Sequence, residues 1–177
     1  MQSAIAASYI TTATTTHLAF PTRNRQQIET YLASIWQQYF PDVPRANDVQ
    51  IAYRLPWKSR LGMIRMTLDN TRSFIGINAL LLHRQVPEYL LVVTIAHELT
   101  HYAHGFGSPL PRLYEHPHAN NVVNRELERR GLGEYVQHSD TWIDKHWFPF
   151  YDIERKSGWA GIPAAYRPTH RRYLSAG

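Results

Sequence analysis

Pro87-Glu88-Tyr89-Leu90-Leu91-Val92-Val93-Thr94-Ile95-Ala96-His97-Glu98-Leu99-Thr100-His101-Tyr102-Ala103-His104-Gly105 decides how the rest of the chain is read. Pro87 suits the first turn of a helix and Gly105 suits the left-handed position just past its end. The spacing predicts one helix from about Pro87 to His104. Its centre is apolar on most sides, so the helix is expected to be buried. Inside it stands His97-Glu98-Leu99-Thr100-His101, an H-E-x-x-H pattern. Residues four apart lie on one helix face, so two imidazoles one turn apart can close on one zinc ion at about 2.0–2.1 Å. Glu98 stands beside the first His, placed to act on a zinc-bound water rather than on the metal, as general base and then acid. Two histidines and a glutamate on an apolar helix are costly without partners, and a metal supplies one.

Such a site needs a third protein ligand and an open position. The chain has no cysteine, so the ligand must be His, Asp or Glu. Downstream of the motif stand His104, His116, His118, Glu126, Glu134 and His138. His104 shares the face of the first two, but seven residues put it about 10 Å further along the axis, too far to share the metal. It is expected as a dipole partner at the helix end or as a cleft residue. Residues 105–117 are rich in Gly and Pro and read as a loop. A third helix is expected from about Asn120 to Arg130, closed by Gly131, with His118 at its entrance. His118 and Glu126 would then lie about 12 Å apart along the axis, so only one reaches the metal. Pro117 keeps the preceding chain extended, which leaves His116 as a rival.

Upstream, Ile28, Leu32, Ile35, Trp36 and Tyr39 recur at helical spacing between Arg25 and Phe40, and Pro41 stops the run. Val49 to Leu55, Leu61 to Leu68 and Ser73 to Ile77 read as short strands, with Asp69-Asn70 as a turn between the last two. Three strands so close in sequence predict a small antiparallel sheet. The expected class is α+β, with that sheet packed against helices and the H-E-x-x-H motif on a buried helix.

At this point the chain resembles the SprT-like zinc metalloproteases, the SprT and Spartan-type zincins. The matching pieces stand in order: the helix ending at Phe40, Arg60-Leu61-Gly62 entering a strand, Ile75-Gly76-Ile77-Asn78 leading into Leu80-Leu81-Leu82, Pro87 to Leu91 before the motif, and His118-Ala119-Asn120-Asn121-Val122 after it. The resemblance covers about residues 25–131, and only the H-E-x-x-H part is highly specific. It implies a zincin-like domain with His97, His101 and His118 on one zinc per chain, Glu98 as the catalytic residue, and hydrolysis of a protein or peptide substrate. Ala119 and Val122 depart from the Gly and Phe common in that family, and residues 134–177, which hold no cysteine, are expected to form no Cys-based zinc ribbon.

The division expected is an Ala/Thr-rich segment 1–24, a core 25–133 and an aromatic, basic extension 134–177. The extension interleaves Trp142, Trp147, Phe148, Tyr151, Trp159 and Tyr166 with Lys145, Arg155, Lys156, Arg167, Arg171 and Arg172, without clear periodicity. Such a mixture can stack on single-stranded nucleic acid or can bury its rings against the domain; packing is the expectation. The formal charge of +5 permits nucleic-acid contact without demanding it. A factor acting on DNA-bound proteins and a non-catalytic zinc-stabilised module are the competing readings, and an intact Glu98 argues against the second. Tyr102, Tyr114 and Tyr135 flank the motif as oxyanion candidates, with ordinary packing as the alternative. His17, His83, His138, His146 and His170 read as surface or core residues. No apolar run is long enough for a membrane span and the N-terminus lacks a basic signal region, so a cytoplasmic protein is expected.

Overall fold

The computed structural model describes residues 27–168. The Ala/Thr-rich segment 1–24, Arg25, His17, His170, Arg171 and Arg172 lie outside the described residues. Helix α1, Ile28–Tyr39, buries Ile28, Tyr31, Leu32, Ile35 and Trp36. These positions form one stripe at spacings of three and four, so a single face is driven from water. Strands β1 (Asp48–Arg54), β2 (Gly62–Met66) and β3 (Arg72–Asn78) follow. Helix α2, Glu88–Ala103, begins after Pro87 and ends at His104, within one residue of the sequence expectation. Gly105 has φ +80°, and a Cβ there would stand 2.5 Å from the Pro111 carbonyl oxygen. Glycine is therefore required twice, for the left-handed backbone and for the close approach.

The class is α+β, but the sheet is mixed rather than antiparallel. Its order is β1-β3-β2. β2 pairs antiparallel with β3, whereas β1 pairs parallel with β3, Ile51 opposite Ile75. The reason lies in the link 55–61. Asn78, fully buried, donates from Nδ2 to the carbonyls of Trp57 and Arg60, each at 2.8 Å. Trp147 Nε1 donates to the Lys58 carbonyl at 2.6 Å. Held this way, the link delivers β2 to the far edge of β3, and β1 keeps the other edge. Leu68, expected at the end of a strand, is fully exposed in the turn between β2 and β3.

Beyond the loop 105–117 the chain makes a short 3-10 turn, Ala119–Asn121, and then α3, Val122–Arg129. Helix α4, Gly133–Trp142, runs through a π-helical stretch, Ile143–Trp147, into α5, Phe148–Lys156. The π-helical stretch shifts the phase of the buried face, which is why no single period is legible there. Trp147, Phe150, Tyr151 and Trp159 are buried. Phe150 takes the edge of His83, and the His83 Nε2 lies 3.5 Å from a Glu154 carboxylate oxygen. Helix α2 is the centre of the molecule, packed by α1, β2, β3, α3 and α4. Among the described residues, no helix is long and apolar enough to cross a membrane.

Candidate metal centre

The apolar stripe of α2 is sunk into the core through Leu91, Ile95, Leu99 and Tyr102, all essentially inaccessible. That burial sets the helix rotation, and rotation sets where His97 and His101 point. Their Nε2 atoms lie 3.0 Å apart. Two nitrogens bound to one tetrahedral zinc would lie about 3.3 Å apart, by the bond lengths given above. His118, from the far side of the loop, places its ring 4.7 Å from that of His101 and 5.5 Å from that of His97, centroid to centroid. One ligand nitrogen from each of the three falls within 4.8 Å of the others. The three side chains are thus in range to hold one metal ion.

At His97 and His101 the electrostatics suit a bound cation better than a proton. Burial pushes His97 down to about 4, with His118 adding to the effect. Burial pushes His101 down to about 3, helped by His97, His118 and His104. Neutral imidazoles keep the lone pairs that a metal requires. His101 Nδ1 is buried without a hydrogen-bond partner, so the ring is oriented by packing and by what its Nε2 meets.

Glu98 is 5% exposed. Burial pushes its carboxyl up to about 8, with Arg60 acting in the opposite direction. The space for that carboxyl comes from Gly62: a Cβ there would stand 2.6 Å from Glu98 Oε1 and 2.9 Å from Thr94 Cγ2. The three histidines and Glu98 line one cleft of about 660 Å³. Its walls are the edge strand β2 with Gly62, Met63 and Ile64, and the α4 face carrying Val136, Ser139 and Asp140. Burial and Asp144 raise the Asp140 carboxyl.

The other sequence candidates go elsewhere. Glu126 is held by Arg129, at 2.6 and 2.9 Å, and by Arg130 at 2.8 Å. It lines a separate cavity of about 420 Å³ with His104 and Tyr114. His116 is exposed beside Glu115. His104 is buried, with its ring against Tyr114. Tyr102 directs its hydroxyl to Asn47 and to the Ala46 amide, and neither it, Tyr114 nor Tyr135 lines the cleft. Ser139 and Asp140 were not singled out from sequence, and Gly62 was named only as part of the Arg60-Leu61-Gly62 strand entry, not as a site residue. Gly62 carried a signal, a glycine opening a strand pattern; Ser139 and Asp140 carried none, because only the packing of α4 on α2 brings them to the cleft. The chain matches no protein-family model and no curated protein sequence.

Proposed function

We propose that this chain is a zinc-dependent peptidase of the SprT-like, zincin type, acting on a protein or peptide with His97, His101 and His118 as ligands and Glu98 as the catalytic carboxyl. The observation that supports this best is the convergence of three imidazoles and one buried carboxyl in a single open cleft. Three nitrogen ligands with room beside them suit zinc, and no thiolate is available to favour a closed structural site. Zinc bound there would supply Lewis acidity to a carbonyl and to water.

The chain's own residues do the rest. Glu98, raised towards neutrality by its surroundings, can take a proton and return it to a departing amine, since a group poised near the working pH serves both steps. Gly62 leaves that carboxyl its space. β2 is an edge strand on the cleft wall, so its free backbone groups suit an extended peptide laid alongside. Of the rings in the extension, Trp147, Tyr151 and Trp159 are occupied in packing, which withdraws them from stacking on nucleic acid, while Phe148 stays exposed.

Two measurements test the reading. Metal analysis of the full chain should find about one zinc, lost in His97→Ala and in His101→Ala; full occupancy in either variant would exclude that ligand. Glu98→Gln should keep the zinc and lower peptide hydrolysis by roughly 10²–10⁴. Wild-type turnover in that variant would remove Glu98 from the chemistry.

A further inference from the structure

His118 reaches the triad by a different route from its partners. His97 and His101 are fixed by a buried helix, whereas His118 stands outside any helix and is exposed. Its ring makes no hydrogen bond among the described residues. What reverses the chain immediately after it is a pair of left-handed residues, Asn120 at φ 51°, ψ 33° and Asn121 at φ 58°, ψ 30°. Among the described residues no other two adjacent non-glycine positions share this conformation. Backbone bonds close the turn on both sides: the Ala119 amide donates to the His116 carbonyl at 3.3 Å, and the Val122 amide donates to the Ala119 carbonyl.

The left-handed region crowds Cβ against the carbonyl, and asparagine tolerates it better than most residues. A capping role does not explain the pair. Asn121 makes no side-chain cap to α3, and neither asparagine side chain hydrogen-bonds among the described residues. Their backbone conformation is what the site uses. An ordinary helix entry has an extended residue before its first turn; here two left-handed residues stand between the third ligand and α3.

We infer that Asn120 and Asn121 are positioning residues for His118: their tolerance of left-handed backbone holds its ring against His97 and His101. This rests on the reading of the triad as a zinc site. Two asparagines also leave less backbone freedom to be lost on ordering than two glycines would.

The test is zinc affinity, measured on the full chain by competition with a chromophoric chelator. N120A/N121A should bind zinc about 10- to 100-fold more weakly, because alanine resists both dihedrals. N120G/N121G should stay within about 5-fold of wild type, because glycine adopts positive φ freely. Thermal midpoints of the zinc-free proteins separate a lost fold from lost positioning, and the single variants N120A and N121A, each about 3- to 10-fold weaker, serve if the double variant does not fold. Zinc binding by N120A/N121A as tight as wild type overturns the inference, as does an N120G/N121G variant as weak as the alanine pair. If wild type binds zinc and His118→Ala binds it equally well, the third ligand is wrong and the inference falls with it. If wild type binds no zinc, the metal reading itself fails.

Discussion

Gly62 is the residue on which the carboxyl of the cleft depends most directly. Its missing Cβ is the space that Glu98 Oε1 occupies. If the cleft is the zinc peptidase site proposed above, Gly62→Ala should push that carboxyl aside without touching His97, His101 or His118, so zinc affinity should hold while peptide turnover falls by roughly 10² or more. A zinc titration and a turnover assay on one preparation check this; unchanged turnover would mean that Glu98 has room to spare. At this scale the sequence was informative wherever one short pattern carried both identity and geometry. His97 and His101 were legible because helical periodicity alone puts them on one face, and Glu98 because the motif names it between them. The order of His118, His116 and Glu126 was not settled by spacing, since it depends on where a loop returns. The commitment of Glu126 to Arg129 and Arg130 could not be read from pattern.

Among the elements, α3 is tied to the end of α1 by one side chain. Arg130, its guanidinium nearly buried, donates to Asp42 at 2.6 and 2.9 Å, to the Tyr39 carbonyl at 2.6 Å and to Glu126, and it stacks 4.3 Å over the Phe40 ring. Asp42 is largely exposed, so its share is screened by solvent. Arg130→Ala should still cost about 1–3 kcal/mol, from lost charged hydrogen bonds and packing. Urea unfolding of the zinc-free protein measures it; a loss below a few tenths would make the network ornamental. The helices were legible where caps and periodicity agreed, as at Pro87 and Gly105. The sheet was misread because proximity in sequence suggests adjacent strands, whereas Asn78 and Trp147 hold the link 55–61 and send β2 past β3. α4 and α5 escaped because Ile143–Trp147 changes the helical phase between them.

For the molecule as a whole, the titrating groups of the cleft predict how zinc-free stability follows pH. Folding lowers His97 to about 4 and His101 to about 3. Below the unfolded value of 6.5 the unfolded chain therefore binds more protons there, and stability falls as pH drops. Folding raises Glu98 from 4.5 to about 8. Between those values the folded state holds the extra proton, so stability falls as pH rises through that window. From 4.5 to 6.5 the two histidines outweigh the one carboxyl, and above 6.5 the carboxyl acts alone. Taken by themselves these three groups change the sign of the slope near pH 6.5; buried His104, also lowered, adds to the loss on the acid side, and Glu98→Gln should flatten the decline from there to pH 8. Thermal midpoints from pH 5 to 8.5 read the slopes; an alkaline decline that persists in Glu98→Gln would assign it elsewhere.

Helix α2 has α1, β2, β3, α3 and α4 packed around it. Loss of any one of these elements would uncover part of the helix. In hydrogen exchange, the amides from Leu91 to Tyr102 should accordingly exchange only through opening of the entire molecule, and they should be the slowest in the chain. Exchange at the loop 105–117 can run many times faster with no effect on them. The lifetime of the paired His97 and His101 geometry is then the lifetime of the native state itself.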